Sequence, residues 1–162
     1  MSTIQLHAER VMRAPAEIVY ACIADYRQHH RPGGFLPPVF TDLQVEQGGV
    51  GAGTAIRFTT RLGGTTRVAR QDVSEPEPGR VLVEAGSGAQ TTFTVDQLDE
   101  RRCRVRIDSQ LELSRGLRGV IERLVIPRLL MPVYRDELAR LEARVSGLLG
   151  DSASASSSPS QP

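Results

Sequence analysis

The sequence predicts an α+β fold: a seven-stranded antiparallel sheet, two short helices after the first strand, and one long C-terminal helix. Three observations carry this. Apolar and polar residues alternate with period two through the middle of the chain, as in a sheet with one wet and one dry face. Gly63-Gly64 stands between two such runs, a two-residue hairpin signal. From Leu117 to Leu148 apolar residues then recur at spacings of three and four, the period of a helix.

In chain order, Thr3 to Met12 alternates at Ile4, Leu6 and Ala8 and reads as the first strand. Pro15 suits the first turn of a helix, with Glu17 beside the positive end of its dipole. Ile18, Val19, Cys22 and Ile23 form that helix's apolar face. A second helical piece is expected over Asp25 to His30, ended by the glycines and prolines of RPGGFLPP. Strands follow at Val39–Gln47, Thr54–Leu62, Thr65–Ser74, Arg80–Ala85, Ala89–Leu98 and Cys103–Leu113. The loop GGVGAG and the turns EPEPG and DERR separate them.

The two-residue turn sets a register: Phe58 opposite Ala69, Ile56 opposite Gln71, and Arg57 opposite Arg70 on the other face. Matching apolar positions in the last pair sets Val95 opposite Val105 and Phe93 opposite Ile107. The dry face of the last strand is then Cys103, Val105, Ile107, Ser109, Leu111 and Leu113. Its wet face is Arg102, Arg104, Arg106, Asp108, Gln110 and Glu112. Residues Arg115 to Leu149 read as one helix through Pro127 and Pro132, because the stripe Leu117, Val120, Leu124, Met131, Tyr134, Leu138, Leu141, Val145 keeps its spacing across both. That stripe is expected against the dry face. Residues 1–150 thus form one domain, and the Ser/Pro-rich 151–162 reads as a disordered tail.

Composition bounds the chemistry. The 162 residues carry 20 basic and 19 acidic side chains, a net charge of +1. Every basic residue is Arg; Lys, Asn and Trp are absent. Without lysine there is no Schiff-base chemistry and no Walker-type phosphate lysine. The charge balance argues against nucleic acid as partner. The RRCRVR run falls on the wet sheet face. Cys22 and Cys103 sit in no metal or redox spacing and read as free buried thiols. No signal peptide is visible at the start. The apolar run Leu124–Tyr134 is too short to span a bilayer, so a soluble cytoplasmic protein without stable membrane insertion is expected.

No catalytic constellation emerges. His29-His30 lacks the further ligands that a metal needs, so no metal site and no cofactor are expected. GGVGAG has the wrong spacing for a dinucleotide loop and precedes a strand. The stronger signal is polar residues on the dry face: Gln71, Thr91 and Ser109 need partners there.

The order of elements resembles the START/Bet v 1-like (SRPBCC) superfamily, and within it the bacterial polyketide cyclase/dehydrase-like branch. The residues that carry the likeness are VMRAPAEIVYACIADY (Val11 to Tyr26), the Pro-rich aromatic segment after it, the Gly53-Thr54 strand start and GLRGVIERL in the last helix. The resemblance implies a helix-grip fold, a curved sheet wrapped around the long helix with a cavity between them. It implies binding of a small hydrophobic molecule, lipid-, polyketide- or aromatic-like. Relatives often carry Trp in the segment where this chain has YRQHHRPGGFLPP.

The expected ligand-binding set combines these readings. Tyr26, His30 and Phe35 guard the cavity mouth. Phe58, Phe93, Met131 and Tyr134 form apolar and aromatic wall. Gln71 and Ser109 orient the ligand. Two alternatives stay open. One is a cyclase or dehydratase acting on a polyketide-like substrate, with His30, Tyr134 or Tyr26 as acid or base. The other is an interaction module using the apolar segment 124–134, including a homodimer.

Overall fold

The computed structural model describes residues 2–28 and 34–156. Strand β1 (Thr3–Met12) leads into helix α1 (Ala16–Ala24), and six strands follow: β2 (Phe40–Gln47), β3 (Ala55–Leu62), β4 (Thr65–Glu77), β5 (Val81–Gly86), β6 (Ala89–Asp99) and β7 (Arg102–Glu112). Helix α2 (Leu117–Ala155) closes the chain. All pairings are antiparallel, in the spatial order β1-β7-β6-β5-β4-β3-β2. The meander β2 to β7 is completed by β1 returning to the far edge beside β7.

The hairpin register is the one the turn dictates. Phe58 pairs with Ala69, Ile56 with Gln71 and Arg57 with Arg70, around Gly63 and Gly64 at φ of 56° and 75°. Positive φ at both turn positions is what glycine supplies without strain. Val95 pairs with Val105 and Phe93 with Ile107. Register shifts interrupt the β2–β3, β4–β5 and β6–β7 ladders. Such bulges bend strands, and here they help curl the sheet around the helix.

The wet face is a coat of arginines and carboxylates. Arg57 and Arg70 face each other across the ladder, and Glu46 accepts from both at 3.0 Å. Arg102 pairs with Asp99, and Arg80 and Arg106 with Asp96. The dry face gathers Ile56, Leu82, Phe93, Val95, Val105 and Ile107, each 3% exposed or less. Cys22 and Cys103 are buried free thiols, and burial pushes Cys103 up to about 11.

Three expectations need correction. Where a second short helix is expected, Asp25 bridges Val50 and Tyr26 to Gln28 form a turn; His29 and His30 lie outside the described residues. The Tyr26 N–H donates to the Gly49 carbonyl and the Gly51 N–H to the Ala24 carbonyl, both at 3.0 Å. The GGVGAG loop therefore takes the backbone bonds that a helix would have used. Second, α2 continues into the proposed tail as far as Ala155, with Ser152, Ser154 and Ser156 hydroxyls donating to carbonyls four residues back. Residues 157–162 lie outside the described residues.

The third correction concerns the helix stripe. Leu138, Leu141 and Val145 are buried, and this half of α2 lies on β1 and α1, tied by Arg10 to Glu142. The first turns of α2 stand off the sheet. Leu117 is 77% exposed, Leu124 59% and Val120 58%. The Ser114 N–H and hydroxyl both donate to Glu122 at 2.7 Å, which ties the first turns of α2 to the chain just after β7. The space left between is the cavity.

Candidate functional site

A cavity of about 960 Å³ lies between the N-terminal half of α2 and the dry faces of β3 to β6. Ile56, Phe58, Ala69 and Phe93 form its sheet wall, Leu36, Phe40 and Leu43 one side, and Ile126, Leu129 and Leu130 its helix wall. Phe40 and Phe58 meet edge to face, ring centres 5.7 Å apart. At the mouth, Val68, Leu117, Ile121 and Val125 are exposed apolar residues among Arg67 and Arg118. An apolar box with a few converging polar groups is the usual construction of a small-molecule site.

Its polar groups sit together. Glu84 on β5 pairs with Thr91 on β6, which pairs with Ser109 on β7. Alternation places all three on the dry face, so a polar row crosses the sheet. The Thr91 and Ser109 hydroxyls are 2.9 Å apart. Gln71 faces the same cavity from β4. Gly86 packs beside it, its Cα so near the neighbouring strand that a Cβ would stand 2.3 Å from the Arg70 carbonyl oxygen. From α2, Tyr134 and Glu137 complete the ring of polar groups. The spacing of three from Tyr134 to Glu137 sets them on one helix face.

Burial governs the protonation of this end. Glu84 is 9% exposed and Glu137 6%. Loss of water pushes the Glu84 carboxyl up to about 7, although the Tyr26 hydroxyl, donating at 2.5 Å, favours its charged form. Glu137 is pushed up to about 8, by burial first and then by the Glu84 charge. Two carboxyls in one dry site give up protons in sequence, as a pair. The Tyr134 phenol is raised to about 12 by burial, moderated by the Ser109 and Thr91 hydroxyls, and that of Tyr26 is held well above its usual value. Gln71 is 5% exposed, and its Oε1 has no hydrogen-bond partner among the described residues.

The residues expected from sequence divide. Phe58, Gln71, Phe93 and Tyr134 line the cavity. Ser109 stands beside Thr91 on the next strand, 2% exposed, and is not part of the cavity lining. Tyr26 and Phe35 are fully buried, so neither guards a mouth; Tyr26 instead sends its hydroxyl to Glu84 at the closed end. Met131 is half-buried and packs on the core rather than on the cavity wall. His30 lies outside the described residues.

Sequence reasoning missed Glu84 and Glu137. The signal for Glu84 was present: in VLVEAG it shares a face with Leu82, whose partner is Phe93. The β4–β5 turn is irregular, so no register linked that face to Gln71. Glu137 lies between Tyr134 and Leu141 on the stripe, at a position that a charged residue normally avoids. Among the described residues no group of three or more His, Cys, Asp and Glu is placed to hold a metal ion, and no helix is long and apolar enough to cross a membrane.

Residues 3–146 match the family described as polyketide cyclase/dehydrase and lipid transport. No curated protein matches the sequence significantly. Solved structures resemble the chain at the level of fold. KanY, determined by NMR in solution, is 20% identical with a TM-score of 0.76, covering 90% of this chain and 99% of its own. A protein from Thermus thermophilus is 22% identical with a TM-score of 0.69, covering 90% and 99%. The Zhui aromatase/cyclase from a Streptomyces species is 13% identical with a TM-score of 0.65, covering 90% and 94%.

Proposed function

We propose that this chain, which belongs to the polyketide cyclase/dehydrase and lipid-transport family, binds a small, mostly apolar molecule in the cavity between α2 and the sheet. The observation that supports this most is the cavity itself. About 960 Å³ of space stays open between well-packed elements, with an apolar wall and polar groups gathered at its closed end. Protein interiors otherwise close such gaps, because each unfilled surface forfeits dispersion contacts. The open interior also speaks against a module that works only through an outer surface at 124–134, since Ile126, Leu129 and Leu130 in that segment turn inward.

The test uses Nile red, a neutral dye that brightens in apolar surroundings. Ala69→Trp places a large ring in the cavity from a half-buried position on β4. The wild type is expected to bind the dye, and the variant to bind it at least about tenfold more weakly while keeping the same far-ultraviolet dichroism. Equal binding by both proteins would place the dye elsewhere and remove the reading.

A second reading, proton-transfer catalysis on the bound molecule, is favoured by one observation. Glu84 and Glu137 are carboxyls held near neutral titration inside the cavity, the range that suits a general acid or base. A cyclase or dehydratase acting on a polyketide-like chain needs such groups. Turnover of a poly-β-keto thioester that is lost in Glu84→Gln, with Nile red binding retained, would select this reading over simple binding.

A further inference from the structure

We propose that the closed end of the cavity seats the ammonium group of a mostly apolar primary amine, between Glu84 and Glu137 with Gln71 Oε1 as third acceptor. This rests on the reading that the cavity binds a small apolar molecule, and it names that molecule's polar end.

Three features of the site support it. Two acidic side chains on different elements, β5 and α2, line the same cavity and are each nine-tenths buried or more. Neither has an ion-pair partner among the described residues. The arginines that line the cavity, Arg67 and Arg118, are exposed near its mouth, so among the described residues no built-in cation serves the closed end. Finally, Gln71 Oε1 is buried without a donor. An ammonium carries three N–H donors and a positive charge. It offers one donor to each of the three acceptors and supplies the counter-charge that buried carboxylates require.

A ligand carbonyl is the main rival. It would accept hydrogen bonds from the two carboxyls in their protonated forms. It leaves Gln71 Oε1 still without a donor, which is why the amine fits better.

The proton balance is explicit. In the empty site both carboxyls retain protons at acidic pH. When the alkylammonium enters, one carboxyl releases its proton to solvent and becomes the carboxylate that faces the cation. The charge of the site is unchanged and one proton leaves. Among the described residues the other titratable groups that face this end are Tyr26, from the segment after α1, and Tyr134, from α2. Both phenols stay protonated near neutrality because burial raises them. Asp136 on α2 adds negative charge near Glu137. From β6 and β7 only the Thr91 and Ser109 hydroxyls face it, and Glu112 and Glu122 lie toward the mouth.

The experiment is competition against Nile red on the full chain, with phenylbutylamine, phenylbutanol and phenylbutanone as probes. The amine should compete best, and its affinity should rise up to about tenfold per pH unit between about pH 5.5 and about pH 7, one proton being released. The alcohol should show no such slope. Glu137→Gln and Glu84→Gln mimic the protonated acids in shape. Each should weaken the amine at least about tenfold and flatten its pH dependence while weakening the alcohol by no more than about threefold. Equal binding of amine and alcohol would overturn the ammonium seat and leave the cavity reading standing. The ketone binding best and weakening as pH rises would overturn it in favour of a carbonyl ligand. No competition by any probe, together with equal Nile red binding by wild type and Ala69→Trp, would remove both.

Discussion

Replacing Glu137 by Gln should make the protein more stable at alkaline pH and leave it unchanged in acid. The reasoning starts from burial. Glu137 is 6% exposed, and its carboxyl is raised from 4.5 to about 8. Between those values the native state holds a proton that the unfolded chain has released. Stability therefore falls as pH rises, because the native state binds more protons than the unfolded one. The contribution is complete below the unfolded value and lost through the folded one. The whole shift corresponds to about 5 kcal/mol at 1.36 kcal/mol per unit. Relaxation around the ionised carboxylate relieves part of this, so about 2 kcal/mol between about pH 5 and about pH 8.5 is the working expectation. Gln copies the protonated acid in shape and never ionises. Urea unfolding of wild type and Glu137→Gln at both pH values isolates the effect. His7, raised by its hydrogen bond to Asp108, also loses stability as pH rises, but it is common to both proteins and drops out of the difference. Parallel pH profiles, or a variant less stable than wild type in alkali, would refute the argument that this carboxyl is uncompensated in its site.

Three further outcomes are expected. Leu141→Ala, at a site 1% exposed where α2 lies on the sheet core, should cost about 2–5 kcal/mol in urea unfolding, and less than about 1 kcal/mol would mean that the helix packs loosely there. Leu117→Ser with Leu124→Ser, both exposed on the first turns of α2, should change stability by under about 0.5 kcal/mol each; a core-sized loss would show that these leucines are covered in solution. Gly86→Ala should destabilise by about 2 kcal/mol or more, since its φ is 153° and a Cβ would sit 2.3 Å from the Arg70 carbonyl oxygen, and an unchanged melting temperature would contradict that crowding.

Local signals determined much of the fold. Two glycines in a two-residue turn require one register, so Ile56, Phe58 and Gln71 were assignable to the dry face from the sequence alone. The alternation of arginine with apolar residues in RRCRVRID likewise assigned Ser109 inward, because a one-residue slip would bury the arginines. The family likeness was legible for the same reason: VMRAPAEIVYACIADY and the long apolar stripe encode element type and order. What spacing cannot encode is distance between elements. The 3,4 pattern treats Leu117 and Leu138 alike, yet Leu117 faces the mouth and Leu138 the core. Only the anchoring of the helix start through Ser114 and Glu122, with the curvature of the sheet below it, separates the two halves of α2.

Protonation was decided at the same level. Glu84 and Glu137 lie 53 residues apart in sequence, and although each sits on an apolar face, nothing local says that the two meet. The tertiary fold brings both to one dry space and sends the Tyr26 hydroxyl to one of them. The sequence by itself determined which faces are apolar and which strands pair, because those follow from period and turn chemistry. The tertiary structure alone decided where the interior stays open and which carboxyls face it, because desolvation depends on what surrounds a group in space and not on its neighbours along the chain.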